Sequence, residues 1–209
     1  MRGLPTLVEA LSISRDGRRL AVGLGGRAGL RILALPSGRE LASDQEYGER
    51  VSFSDFAADG SLATTSQDGC VRLYDLQGRL TFRAEYPVPA HADGRSCKGS
   101  ELGGIRFSPD GTRIAFGLQD RVEMVVMDAA TRQVERVLKV DDTLQRSLCC
   151  LNWSHDGKSL YMNGAYGGEG ATPMYRVDVA SGQVQRMNIG RQRFTNILPL
   201  PNGDLVFST

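Results

Sequence analysis

A tight turn centred on Asp-Gly recurs along the chain and constrains the fold more than any other feature. Asp accepts hydrogen bonds from nearby backbone amides, and Gly adopts positive φ without steric cost, so the pair favours turns. Apolar residues flank the turn at alternate positions, as Ile105 and Phe107 do before the third copy. Each copy therefore predicts a β-hairpin. The copies are Asp16-Gly17, Asp59-Gly60, Asp110-Gly111, Asp156-Gly157 and the weaker Asn202-Gly203.

The spacing of these turns predicts the architecture. Successive copies are 43, 51, 46 and 46 residues apart. A period in the forties with several short apolar runs per unit is typical of β-propeller blades. No segment keeps the 3.6-residue apolar period expected of stacked helix pairs. We therefore predict an all-β fold, a β-propeller of four-stranded antiparallel blades with about four and a half blades present.

Each unit divides into four strands, a to d, and we interpret residues 1–209 as a single propeller segment. The predicted blades cover residues 7–43, 51–86, 104–140 and 148–189, and a partial blade covers 195–209. The partial blade has candidates for strands a and b alone, which would leave an unpaired edge. We therefore expect a larger ring of about seven blades, or two chains that complete each other; the alternative is a closed ring of about four or five blades.

Composition restricts the compartment and the partners. The chain has 25 basic and 24 acidic side chains, which argues against wholesale binding of nucleic acid or of an anionic membrane. We see no secretory leader and no apolar run of about 18 residues, and we expect a cytoplasmic protein. The four cysteines form no C-x-x-C pair and are predicted to be free thiols. Lysine is rare beside arginine, which we interpret as a sign of a bacterial source.

The second unit carries a family resemblance. Residues 66–75 read Ser-Gln-Asp-Gly-Cys-Val-Arg-Leu-Tyr-Asp and resemble a WD repeat, with Tyr74 in place of the Trp of the Trp-Asp dipeptide. Asp128 and Asp178 keep the dipeptide's Asp in the next two units. The resemblance implies a non-catalytic scaffold for protein–protein interaction within a larger protein or complex. The family's Gly-His dipeptide is absent, so its buried Asp-His-Ser-Trp network is not expected intact in any blade.

A second resemblance leaves an alternative function open. Residues 107–116, Phe-Ser-Pro-Asp-Gly-Thr-Arg-Ile-Ala-Phe, are also similar to the propellers of TolB and of the prolyl-oligopeptidase group. In that case the chain would be the propeller domain of a serine-hydrolase, peptidase-type or TolB-like protein. The catalytic part would then lie outside this chain.

Three segments are long and irregular: 87–103, 164–173 and 190–195. They fall among the b–c and d–a loops and are therefore predicted to open on the same face of the propeller disc. Long loops on a rigid scaffold are where binding residues concentrate. We predict that this side binds a protein partner, which could include a chain or segment completing the propeller. The candidate contact residues are Arg95, Lys98, Tyr166, Arg191 and Arg193.

No motif in the sequence predicts catalysis, a cofactor or a metal. The glycines of residues 164–170 lack the Gly-Lys-Ser/Thr and the following helix of a phosphate loop. Asp141 and Asp142 lack the oxygen-rich spacing of a cation site. His91 could approach Cys97, but a loop offers no preorganisation for a Cys–His nucleophile. We therefore predict that the chain is not an enzyme.

Large apolar residues stand three positions before the turn's Asp in several units. Ile13, Phe107 and Trp153 occupy this position. Because this position lies in a predicted strand a, we interpret Trp153 as a core residue rather than an exposed recognition aromatic.

Overall fold

The computed structural model describes residues 4–85, 102–118, 122–140, 148–164, 173–187 and 196–208, and every regular element in these ranges is a β-strand. No helix in this part of the chain is long and apolar enough to span a membrane. The strands are β1 (Val8–Ile13), β2 (Arg19–Leu24), β3 (Leu30–Ala34), β4 (Glu40–Asp44), β5 (Val51–Phe56), β6 (Leu62–Ser66), β7 (Cys70–Tyr74), β8 (Leu80–Glu85), β9 (Leu102–Phe107), β10 (Arg113–Leu118), β11 (Glu123–Asp128), β12 (Val134–Lys139), β13 (Leu148–Trp153), β14 (Ser159–Gly164), β15 (Met174–Asp178), β16 (Val184–Met187), β17 (Asn196–Pro199) and β18 (Leu205–Ser208).

Sequential strands pair into five sheets. Four of them have the strand orders β1-β2-β3-β4, β5-β6-β7-β8, β9-β10-β11-β12 and β13-β14-β15-β16, and the fifth consists of β17 and β18. Neighbouring strands run antiparallel, as expected when short turns join them. Each four-stranded sheet is one propeller blade, which confirms the predicted fold class.

The a–b turn is closed by hydrogen bonds among its own residues. In the first sheet the Ser14 hydroxyl donates to the Asp16 carboxylate over 2.6 Å, and the Arg19 amide donates back to the Ser14 oxygen over 2.9 Å. Gly17 has φ +70°, a conformation that favours glycine. The third and fourth sheets repeat this arrangement at 108–113 and 154–159. The predicted Asp-Gly hairpins are therefore present, and a serine two residues before the Asp closes three of them.

The Asp that ends strand c closes the c–d turn. The Asp128 carboxylate accepts hydrogen bonds from the amides of Ala130 and Thr131, and Asp178 accepts one from the Ser181 amide. Asp75 accepts in the same way from the amides of Gln77 and Arg79. The aspartates of the dipeptide positions are thus structural, since they hold the turn that brings strand d beside strand c.

The chain forms two compact units, residues 1–105 and 106–209. The core of the first unit lies between its first two sheets, and the core of the second lies between the sheets that contain β10 and β13. The interpretation of residues 1–209 as a single propeller segment stays a prediction.

The position three residues before the turn's Asp differs between blades. Trp153 is buried as predicted, and so is Phe107, whereas the equivalent Ile13 is 60% exposed. The reason is positional, because in the described residues no sheet covers the side of β1 to which Ile13 belongs.

Candidate protein-interaction surface

The first sheet presents an apolar side to solvent, which we call the open face. Register places its residues on one side, because Leu11 pairs with Val22, Ile13 pairs with Leu20, and Leu20 pairs with Leu33. Leu11 and Ile13 are 61% and 60% exposed, whereas Val22 and Leu33 are buried in a small cluster beneath them. The open face therefore combines a packed apolar base with exposed aliphatic side chains.

An ion pair borders this apolar area. Arg31 of β3 pairs in register with Val22 and therefore shares the open face. Its guanidinium lies 3.5 Å from the carboxylate of Glu40 on the outer strand β4, and both side chains are partly exposed. An apolar centre with a polar border is the usual composition of a protein–protein interface.

In the second sheet, the side equivalent to the open face is covered by the first sheet. Phe56 pairs with Leu62 and Leu62 pairs with Tyr74, which is the register of Ile13, Leu20 and Leu33 in the first sheet. Phe56, Leu62 and Tyr74 are all buried in the cluster that the first two sheets share. The open face is thus equivalent to a side that is covered in the next blade.

The second unit repeats the same arrangement. Trp153 pairs with Leu160, Leu160 pairs with Val177, and all three are buried in one cluster with Met124 and Val126 of the preceding sheet. Two independent copies of the interface therefore indicate that this side of a blade is a contact surface.

Arginine side chains join neighbouring blades within each unit. The Arg19 guanidinium lies 5.3 Å from the centre of the Phe56 ring and donates to the carbonyl oxygen of Leu76 over 3.0 Å. Arg113 lies 4.9 Å from the Trp153 ring centre and donates to the carbonyl oxygen of Gly157 over 2.8 Å. An arginine over an aromatic ring at such a distance is a cation–π contact. On the open face, Ile13 occupies the position of these aromatic rings.

A buried polar network lies at the start of the second sheet. Tyr47, in the segment that joins β4 to β5, is within 2.8 Å of the Thr64 hydroxyl and 2.6 Å of the Tyr74 hydroxyl. Tyr74 donates in turn to the carboxylate of Asp44 over 2.8 Å. Because each hydroxyl has one proton and Tyr74 donates its own to Asp44, Tyr47 donates to Tyr74 and Thr64 donates to Tyr47. Burial raises the pKa of Tyr47 to about 12, and burial also raises the pKa of Tyr74.

An ion pair continues this network. The fully buried Arg72 guanidinium stacks 3.9 Å from the Tyr47 ring centre and donates to Asp68 over 2.7 Å, to Ser66 over 2.6 Å and to the carbonyl oxygen of Glu46 over 3.0 Å. Burial alone would raise the pKa of Asp68, but hydrogen bonds from Arg72 and Ser66 hold that pKa below its usual range. Tyrosine and arginine side chains therefore form a continuous buried polar network in the second sheet.

The candidate residues in the long loops lie outside the described residues. This applies to Arg95, Lys98, Tyr166, Arg191 and Arg193. It also applies to His91, Cys97, Asp141, Asp142 and the central glycines of the 164–170 segment, so these sequence interpretations stay predictions. Within the described ranges, no group of three or more His, Cys, Asp or Glu side chains could hold a metal ion. Cys70 is a free thiol, as predicted for it.

The fold defines the class of protein, a β-propeller. The family model described as "WD domain, G-beta repeat" matches residues 40–75, which contain β4 to β7 and the whole polar network, so the predicted resemblance is confirmed.

A chain in the solved structure titled "Crystal Structure of Mitotic Checkpoint Complex" is similar in fold, with a TM-score of 0.74 and 18% sequence identity. The match covers 94% of this chain and 55% of that chain, so this chain spans about half the length of its solved relative. No curated protein matches the sequence. A likeness at this identity shows the fold.

Proposed function

We propose that the chain is a non-catalytic interaction scaffold that binds a protein partner within a larger protein or complex. The observation that carries this proposal is the open face, where Leu11 and Ile13 are exposed above a packed apolar base. Apolar patches of this kind mark protein-binding sites, because a soluble surface gains stability when they are covered. The WD-type repeat supports the proposal, as does the presence of the solved relative in a complex.

The loop residues form a second part of the proposal. Arg95, Lys98, Arg191 and Arg193 would offer positive charge, and Tyr166 an aromatic ring, to a protein partner. Arginine and tyrosine are both enriched at the energetic centres of protein interfaces. The cytoplasmic location and the bacterial source also stay proposals, and they rest on composition.

Affinity capture tests the function. The immobilised chain would be compared with a Leu11→Glu, Ile13→Glu double variant and with Leu76→Glu, a matched control at an exposed leucine of a c–d turn. We expect the wild type and the control to retain a partner protein. The double variant should retain at least tenfold less of it, since a charge in a buried interface is poorly tolerated. Equal retention by all three proteins would exclude the open face as the binding surface. An Arg95→Glu, Lys98→Glu variant tests the loop side in the same way.

A further inference from the structure

We propose that Asn202 is a site of spontaneous deamidation, at which the side-chain amide is converted to a carboxylate. Asn202 and Gly203 lie in the a–b turn between β17 and β18. Ammonia is released and water is the co-reactant, so the reaction proceeds without an enzyme or a cofactor. The proposal is independent of the scaffold function, because this turn belongs to a different sheet from the open face.

The reaction begins with the attack of a backbone nitrogen on a side-chain carbonyl carbon. The amide nitrogen of Gly203 loses its proton to hydroxide, and its electron pair forms a bond to Cγ of Asn202. The bond between Cγ and Nδ2 then breaks, and the departing nitrogen takes a proton from water and leaves as ammonia. Water opens the cyclic imide at either carbonyl carbon, which gives aspartate or isoaspartate. A covalent intermediate of this kind replaces one difficult hydrolysis by two easier steps.

Hydrogen bonds fix the Asn202 side chain within the turn. Its Oδ1 accepts from the Asp204 amide over 3.1 Å, and its Nδ2 donates to the Asp204 carboxylate over 2.6 Å. Negative charge develops on Oδ1 as Cγ is attacked, and an N–H donor that is already in place stabilises such charge. The same contacts therefore orient the reacting carbonyl group and activate it.

Water and base can reach the attacking nitrogen. Residues 201–204 are all exposed, and Gly203 has no side chain to shield its amide. That amide donates to the carbonyl oxygen of Leu200 over 3.0 Å, so this bond has to open before the nitrogen reacts. The part of this sheet that the structure describes has two strands, and a turn at the end of a two-stranded sheet opens readily.

The other four a–b turns show that this turn accepts the product. Each has aspartate at the position of Asn202, and the carboxylate accepts a hydrogen bond from the amide two residues later. The donors are Arg18, Ser61, Thr112 and Lys158. In the last turn the residue two positions later is acidic, since it is Asp204. Deamidation therefore places a second carboxylate beside that of Asp204 and introduces repulsion just before β18.

The chain contains a second Asn-Gly pair in the opposite surroundings. Asn163 and Gly164 lie in β14, and the backbone of Asn163 pairs with Cys150 on one side and with Met174 on the other. The Asn163 residue is 2% exposed. Strand pairing on both sides and burial keep base and water away from this pair, so we expect residue 163 to stay unmodified in the folded chain.

Peptide mass mapping of residues 1–209 after incubation at mildly alkaline pH tests the proposal. The peptide that contains residue 202 should gain about 1 Da, and enzymatic methylation of isoaspartate should label the same peptide. Conversion should be about tenfold or more faster at Asn202 than at Asn163 in the folded chain, and the two rates should become similar in urea. Asn202→Gln is the matched control, because its additional methylene disfavours ring closure, and it should remove the label from this turn.

Amide hydrogen exchange measures the consequence for the hairpin. Asn202→Asp reproduces the aspartate product, and its β18 amides should exchange roughly two- to threefold faster than those of the wild type at low salt. The difference should disappear when Asp204→Asn removes the second carboxylate. Unchanged exchange in Asn202→Asp would refute the repulsion between the two carboxylates.

Three results would overturn the assignment of the site. No conversion at Asn202, or equal conversion of Asn202 and Asn163 in the folded chain, would show that the turn does not activate the amide. Aspartate without isoaspartate would indicate direct hydrolysis without attack by Gly203. None of these measurements depends on a captured partner, so failure of the deamidation site and failure of the scaffold function are distinguishable.

Discussion

The Asp68–Arg72 pair provides the sharpest test of how the second sheet is held. Arg72 is 0% exposed, and its guanidinium contacts two side chains, one backbone carbonyl and the Tyr47 ring. Asp68→Asn removes the negative charge with little change in volume. Arg72 then keeps a buried positive charge without its counter-ion, which is the costly way to break a buried pair.

The expected loss follows from burial. Breaking a buried pair by removing one partner costs about 3–5 kcal/mol, and we take the lower end because the Asn oxygen still accepts one hydrogen bond. For a chain of this length, 1 kcal/mol shifts Tm by about 2–4 °C, so we expect a decrease of about 9 °C. Thermal unfolding followed by circular dichroism would measure it.

The chain contains its own control. Asp75 and Arg79 have the same i,i+4 spacing, but the Arg79 side chain is 77% exposed. Asp75→Asn should change Tm much less, because solvent screens an exposed pair. Equal shifts for the two variants would refute the argument from burial. So would a cycle of Asp68→Asn with Arg72→Met in which the two losses simply add.

The pH dependence of the same variant gives an independent check. The pKa of Asp68 is lowered in the folded chain, so its contribution to stability is complete above the unfolded pKa of about 3.9. That contribution is lost as pH falls below this value towards the folded pKa. The stability difference between wild type and Asp68→Asn should therefore be constant from pH 7 to about pH 5 and should shrink below about pH 4.

Three further predictions concern packing and protonation. Gly23→Ala should destabilise the first unit by about 1–3 kcal/mol in urea unfolding, because a Cβ atom there would lie 2.8 Å from Cγ1 of Val51. Gly25→Ala, beside the flexible Glu9 side chain, should be tolerated, and equal effects of the two substitutions would contradict this steric argument. Arg113→Met should alter the emission of Trp153, the single tryptophan, before any loss of circular dichroism, and an unchanged spectrum would disprove the cation–π contact. The pKa of Tyr47 is raised to about 12, so its neutral form stabilises the fold below pH 10, and wild-type stability should fall between pH 10 and 12 more steeply than that of Tyr47→Phe.

The blades were predictable because their signals are local. The Asp-Gly turns and the alternation on either side need only a few neighbouring residues. Strand c of the first blade, which the alternation predicts at residues 30–34, has those bounds in the structure. Strand a of the second blade is predicted at residues 51–53, but β5 ends at Phe56, because the pairing of Phe56 with Leu62 extends the ladder up to the turn.

Other features depend on the neighbours of a residue in space. Alternation shows that Ile13 lies on an apolar side of β1, but it does not show whether another sheet covers that side. The family's Gly-His dipeptide does not predict the Tyr47 network, because a tyrosine hydroxyl supplies its hydrogen bonds. Arg72, which lies between two apolar residues of strand β7, does indicate such a network, because a buried charge in a strand needs a partner.

The closed a–b turn has a consequence for how such a chain can change length. Its hydrogen bonds join residues no more than five positions apart, as between Ser14, Asp16 and Arg19, and none of them requires another blade. The second sheet shows the tolerance directly, because its turn closes one residue sooner, from the Ala57 amide to the Ser61 carbonyl, and strand b still joins the same core. The turn can therefore change by one residue without a change in the sequence of the next blade, whereas Arg19 and Arg113 still tie each hairpin to a particular neighbour.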